Sequence, residues 1–416
     1  MPNKRTTQAH DRRLVVSALL TVGFFCLVSG KAFTQEPHTI SPRLFGFGVA
    51  GGQIRYPEPR ENYLVRDRAG NEVVARLHVE VATQRIFLMP DGSLQERAFA
   101  QTKPTTRRFV TLHETALAER LEKQFPSFRV HPSHRHIFVF NTSPLFAATT
   151  RRVLESMMSG VGTYAKAQRI PTREPPAPLV VIMFRTEKEF QNYKRVPAGV
   201  VAYYDPISNH VVLYEESKLM RSRPDLGIQQ SLSTIAHEGA HQILHNIGVQ
   251  QRLSRWPLWL SEGMAEFFAP TQLGRRLTWS GAGKVNNMRM FEIESYLRKQ
   301  RQATDGRVIK ETVGATNLTS TGYAFAWSLV HHLSKNERSR FHQMVRKMSE
   351  LRPLESVHAF PPNAAICQEN LQIFKQYFPK GLDKLEQEMI DHLKKQPYRN
   401  PFPNANPALV RPVLIN

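Results

Sequence analysis

The sequence predicts an α+β fold, with a small β-rich segment near the N-terminus, a mixed centre and a helical C-terminal lobe. Three patterns carry this prediction. Glu72 to Val81 alternates apolar and polar residues, the period of a half-buried strand. The middle of the chain interleaves short apolar runs with segments of helical period. Beyond residue 271 almost every segment repeats at helical spacing. These shifts divide the 416 residues into segments 1–32, 33–59, 60–105, 106–270, 271–396 and 397–416.

Residues 1–32 read as a signal peptide. Lys4, Arg5, Arg12 and Arg13 precede an apolar run from Leu14 to Val28, and Gly30 and Ala32 offer small residues for cleavage. The run covers about 15 residues, short of the roughly 20 needed to span a bilayer, so a cleaved signal is expected rather than an uncleaved N-terminal anchor. The chain is therefore expected to be exported, to the periplasm, the cell envelope or the medium. Cys26 would leave with the signal, so Cys367 alone would remain and no internal disulfide could form.

A Pro-, Gly- and Ser-rich linker is expected over 33–59, then a small β subdomain over 60–105. In the latter, Arg85 to Met89 is a second apolar run, and Pro90-Asp91-Gly92 is a turn signal before Ser93 to Ala98. In the centre, Glu114 to Phe125 and Leu145 to Tyr164 have helical spacing. His136 to Phe140, Leu179 to Phe184, Val200 to Tyr204 and His210 to Glu215 read as strands. Ile228 to Ile247 carries one apolar stripe (Ile228, Leu232, Ile235, Ala236, Ala240, Ile243, Ile247), with Gly248 placed for a C-cap. A short helix from Leu258 to Ala269 lies between Pro257 and Pro270. The C-terminal lobe offers helices at Met288–Lys299, Tyr323–Ser334, Glu337–Leu351, Gln368–Tyr377 and Leu382–Lys395, and the tail from residue 397 is expected to be irregular.

Hydrophobic residues make up 41% and charged residues 22%, a globular rather than a disordered balance. The net charge is +21, and removing residues 1–32 takes away five Lys/Arg and one Asp, leaving +17. Such an excess points to an acidic envelope polymer, an anionic membrane surface or an acidic substrate as a partner. The basic residues are spread in pairs such as Arg107–Arg108 and Arg275–Arg276, and no nucleic-acid-binding module is recognisable.

Residues 237–241 read His-Glu-Gly-Ala-His, an HExxH motif inside the periodic segment 228–247. Histidines four apart share a helix face, so His237 and His241 can bind one ion, and neutral imidazole suits Zn2+. Glu238 between them can reach a water on that ion. Zinc lowers the pKa of such a water toward about 7, and a neighbouring carboxylate can take its proton and pass it to a leaving group. A catalytic zinc site wants a third protein ligand. The stretch Trp259-Leu260-Ser261-Glu262-Gly263-Met264-Ala265-Glu266 supplies candidates. His245, one turn past His241, lies too far along the helix to share a tetrahedral site and is expected to pack.

The pair HExxH and W-L-x-E-G-x-A resembles the gluzincin zinc metallopeptidases, including aminopeptidases and thermolysin-like enzymes. The resemblance implies a zincin-like catalytic core over 106–270 and one Zn2+ held by His237, His241 and Glu262. It also implies that Glu266 orients His237 through its other ring nitrogen. The segment from Gly322 to Val330 resembles the tyrosine-bearing helix of aminopeptidase-like gluzincins, which implies that Tyr323 donates to the oxyanion of the tetrahedral intermediate. By order in the chain, His210–Glu215 would be either the edge strand that pairs with an extended peptide substrate or a plain strand of the sheet. Phrases such as VVIMFRTEKEF, GVVAYYDP and STIAHEGAHQILHN also resemble a family of exported bacterial proteins of unknown function with a peptidase-like core. The Gly-rich exopeptidase motif of the aminopeptidases is not visible. The expectation is metal-assisted peptide hydrolysis with Glu238 as general base. The alternatives are zinc-dependent hydrolysis of a non-peptide envelope amide and a catalytically silent zincin-fold protein that binds an acidic polymer.

Overall fold

The alternating run Glu72–Val81 is the longest strand of an N-terminal sheet in the computed structural model of the chain. The structure describes residues 37–401 apart from 218–219, 222–223, 274–276, 300–303 and 359–363. Residues 1–32, expected to be a signal peptide, and the tail from 402 lie outside the described residues. The described chain is a mixed α+β assembly, and residues from Pro37 onward form one unit. No helix among the described residues is long and apolar enough to cross a membrane.

In chain order the first strands are β1 (His38–Thr39), β2 (Ile54–Arg55), β3 (Asn62–Arg66), β4 (Glu72–Val81), β5 (Gln84–Leu88), β6 (Leu94–Ala98) and β7 (Lys103–Thr105). The sheet runs β6-β5-β4-β3-β7, with β2 also pairing to β4. Alternation along β4 and β5 buries Val79, Val81 and Ile86, which pack with Ile40, Phe47, Leu253 and Leu354 from distant parts of the chain. Burying side chains of this size stabilises the fold by about 1.5–3 kcal/mol each. The stretch 37–59, expected as linker, is thus partly built into the fold. Ile40 and Phe47 are core residues, and β1 pairs antiparallel with β15 (Glu355–Ser356) near the other end of the described chain.

The central sheet contains β8 (Arg129–Ser133), β9 (His136–Phe140), β10 (Leu179–Phe184), β11 (Ala202–Asp205) and β12 (His210–Tyr214), ordered β11-β12-β10-β9-β8. β10 is parallel to both neighbours and is buried along its whole length, which explains its unbroken apolar sequence. β11 runs antiparallel to β12 and forms one edge, with β8 at the other. This corrects the edge-strand expectation for His210–Glu215, because β12 lies between β10 and β11. Order along the chain misleads here, since the tight connection at 206–209 folds β12 back inside β11.

One face of this sheet packs on α1 (Glu114–Gln124) and α3 (Glu187–Tyr193) through Ile137, Val139, Ile182, Leu117, Leu121 and Phe190. Elsewhere the sheet meets α2 (Pro144–Ala167) and α4 (Pro224–Asn246). The apolar stripe of α4 begins at Leu232, because Ile228 is exposed, and Gly248 takes the left-handed conformation (φ 84°) expected of a C-cap. Then follow α5 (Leu258–Phe268), a hairpin of β13 (Thr271–Leu273) and β14 (Leu277–Trp279), and α6 to α11 at Asn287–Lys299, Arg307–Gly314, Ser320–Asn336, Arg338–Ser349, Ala364–Tyr377 and Leu382–Lys394. α3 escaped the sequence reading although Thr186 and Glu189 form a reciprocal capping box, a legible start signal.

Candidate metal centre

Helix α4 presents His237 and His241 on one face while Ile235, Ala236, Ala240 and Ile243 bury the other. Gly239, inside the motif, lies against α2, where a Cβ would come within 2.2 Å of Leu154 Cδ2. The backbone of α4 is therefore held close to its neighbour at the level of the histidines. Buried amides add direction. Gln242 Nε2 donates to the carbonyls of Val180 (3.1 Å) and Asn209 (2.7 Å), and Asn246 Nδ2 donates to Asn209 Oδ1 at 2.7 Å. These contacts fix the rotation of α4 against the sheet.

Helix α5 buries Trp259, Leu260, Met264, Phe267 and Phe268, with Trp259 edge-on to Phe374. Gly263 lets α5 approach α8: a Cβ there would meet Ala326 O and Val330 Cγ2 at 2.6 Å each. This packing turns Glu262 and Glu266, one turn apart, toward α4. His237 Nε2 and His241 Nε2 lie 3.2 Å apart, and Glu262 Oε2 is 3.2 Å from the first and 3.4 Å from the second. The three atoms form a triangle whose sides match the roughly 3.3 Å separation of tetrahedral ligands that each lie about 2.0–2.1 Å from one zinc ion. Among the described residues this is the group of His, Cys, Asp and Glu side chains that could hold a metal ion.

Glu266 stands behind the ligands and is buried. Its Oε1 lies 3.1 Å from His237 Nδ1, within ion-pair range though off the line of a hydrogen bond. Arg289 Nη2 donates to the same oxygen at 2.6 Å, and Asn286 Nδ2 donates to Oε2 at 2.9 Å. Burial opposes a charged Glu266, yet Arg289 and His237 outweigh it and draw the carboxyl down to about 2. Burial also opposes a charged His237, but Glu262 and Glu266 overcome it and raise the imidazole to about 10. Four carboxylates (Glu238, Glu262, Glu266 and Glu292) share this interior, and Arg289 is the cation paired with two of them. A divalent cation would be a fitting partner for the carboxyl group that faces the two imidazoles.

Glu238 is buried, and its Oε2 accepts the backbone N–H of Tyr204 at 2.8 Å. Burial raises its pKa, against the pull of His237 and His241. Tyr204 lies on β11. Because Tyr214 N–H pairs with Val201 O, alternation along the ladder turns the peptide groups of Ala202 and Tyr204 away from β12. Tyr323, near the start of α8, is brought to the same place, its ring edge-on to that of His237 with centroids 6.0 Å apart. Burial and then the charges of Glu262 and Glu238 raise its pKa, which keeps the phenol protonated. His245 packs against the ring of Tyr204 at 5.4 Å, apart from the ligand triangle.

All six residues singled out from the sequence therefore converge. Those that the sequence reading passed over are Tyr204, Asn209, Gln242, Asn246, Asn286 and Arg289. Gln242 and Asn246 left a trace, being amides one turn apart, next to the apolar positions Ile243 and Ile247. The others meet the site through tertiary packing with partners distant in the chain and left none. A cavity of about 730 Å³ between α2 and the β8–β9 hairpin is lined by other residues, including His136 and Lys166.

Residues 231–355 match a family described as a protein of unknown function (DUF1570), and the matched stretch contains His237, Glu238, His241, Glu262, Glu266, Arg289 and Tyr323. No curated protein matches the chain.

Proposed function

We propose that this chain is an exported zinc-dependent metallopeptidase of the gluzincin type, with a zincin-like catalytic core. The observation that carries the reading is the triangle of His237 Nε2, His241 Nε2 and Glu262 Oε2, with its sides of 3.2–3.4 Å. When bound there, zinc supplies Lewis acidity toward a carbonyl oxygen and lowers the pKa of a water to about 7. Glu238, beside the triangle, takes the proton of the attacking water and delivers it to the departing amine. The Tyr204 N–H holds the carboxylate in place for both transfers. Tyr323, kept protonated by burial, donates a hydrogen bond to the oxyanion of the tetrahedral intermediate. An extended peptide would add to the outer edge of β11, through Ala202 and the Tyr204 carbonyl, rather than through β12.

The test is metal analysis of the purified protein joined to hydrolysis of an unstructured protein such as casein. About one zinc per chain and cleavage abolished by a chelator support the reading. Zinc binding without peptide cleavage favours a hydrolase of a non-peptide envelope amide, and the absence of zinc removes the hydrolase reading.

A further inference from the structure

Arg289 touches none of the three candidate ligands, yet it joins both sides of the site. It sits on the first turn of α6 and is only 5% exposed. Its guanidinium forks, with Nη2 donating to Glu266 Oε1 at 2.6 Å and Nη1 to Glu292 Oε2 at 2.8 Å. The same turn of α6 grips the second oxygen of Glu266, because Asn286 donates to Glu266 Oε2 and accepts the Arg289 backbone N–H at 3.3 Å. On the other arm, Glu292 Oε1 accepts Ser320 Oγ at 2.7 Å. Ser320 opens α8, and Tyr323 follows one turn later with Arg289 Cζ 5.5 Å from its ring centroid. The circuit closes where the Tyr323 ring meets His237.

We propose that Arg289 is a positioning residue that sets His237, through Glu266, and Tyr323, through Glu292 and Ser320, in one fixed relation. The proposal rests on the zinc hydrolase reading. A planar guanidinium can hold two carboxylates at once at fixed angles, whereas a lysine ammonium is a point charge on a flexible stem. Glu266 is buried and Glu292 largely so, and this one guanidinium reaches both. Changing a group behind a histidine ligand typically costs about 10–100-fold in metal affinity or activity. A single residue therefore links how firmly the ion is held to where the phenol stands.

The test uses the full chain with Arg289→Lys and Arg289→Met. The measurements are zinc affinity by competition with a chromophoric chelator, the visible spectrum of the Co2+-loaded protein, and kcat and KM on casein. Arg289→Lys is expected to bind zinc about 10–100-fold more weakly, to shift the cobalt spectrum, and to lower kcat more than it raises KM. An affinity and cobalt spectrum unchanged by Arg289→Lys would overturn the proposal. If Arg289→Met shows no cooperative melt, Glu292→Gln decides, since it weakens one arm and keeps an acceptor for Ser320. Lowered kcat with nearly unchanged zinc affinity supports the link to Tyr323, and unchanged kcat refutes it. Should the unsubstituted chain bind no zinc, both readings fall; should it bind zinc while the variants behave identically, only the role of Arg289 falls.

Discussion

Glu238 Oε2 accepts the backbone N–H of Tyr204 at 2.8 Å, so the acid between the two histidines is moored to the edge strand of the central sheet. A peptide lying along that strand would thereby share a backbone segment with the proposed proton carrier.

Glu238→Gln keeps an acceptor for the Tyr204 N–H but cannot take a proton from water. The variant is expected to retain its zinc and its melting temperature while turnover falls by about 10²–10⁴-fold. Steady-state kinetics with metal analysis of the same sample checks this, and unchanged turnover removes Glu238 from the mechanism.

Gly263→Ala places a methyl group 2.6 Å from the Ala326 carbonyl oxygen and from Val330 Cγ2. A carbonyl in a buried helix cannot step aside. The overpacking cost of about 1–3 kcal/mol outweighs the helix-propensity gain of up to about 1 kcal/mol. Urea unfolding of the zinc-free chain should show a lower midpoint, and zinc affinity should drop because Glu262 moves with α5. A midpoint equal to that of the unsubstituted chain would contradict the packing described here.

His136 is buried against Phe138, and burial, then the charge of Arg135, lowers its pKa to about 4. The folded ring stays neutral while the unfolded one gains a proton below about pH 6.5. The unfolded state thus binds more protons as the pH falls, and stability declines from about pH 6.5 toward pH 4 by about 1.4 kcal/mol per pH unit for this ring. His78, lowered to about 3, and His210, lowered to about 4, act in the same direction. Unfolding free energies measured from pH 7 to 5 should fall steeply, and His136→Phe should reduce the slope by about one proton. Equal slopes would place the ring in water.

Metal removal should destabilise as well as inactivate. Ligand binding to the folded state adds about 4 kcal/mol at a free concentration of 1,000 Kd. Chelator is therefore expected to lower the melting temperature, and stoichiometric Zn2+ to restore it. A melting curve indifferent to chelator counts against a bound ion.

The pattern over residues 1–32 predicts export with removal of that segment. Intact mass of the protein recovered from the periplasm or medium should begin near residue 33. Recovery solely from the cytoplasm at full length would refute this.

What could be read from the sequence is what lies close together along it. His237, Glu238 and His241 share two turns of one helix, Glu262 and Glu266 share two turns of the next, and a periodic apolar face fixes where each set points. β9 and β10 were legible to the residue because each is a buried, mostly apolar run flanked by polar residues or proline. The edge of the sheet was not, since pairing partners depend on how a four-residue connection folds back. Arg289 and Asn286 were equally silent: an arginine on a helix reads as a solvated charge until tertiary packing closes over it. β8 carries Pro132 and mostly exposed residues, so its sequence lacks the alternation that marks a strand.

The pairing of β1 with β15 sets a schedule for folding. Residues 38–39 can find their partners only after residues 355–356 have emerged, and Tyr56 likewise waits for its contacts with Pro353 and Glu355. Every ligand and proton carrier proposed for the reaction lies upstream of that late segment. The pairing of residues 38–39 with 355–356 is thus a high-contact-order step, expected to form slowly.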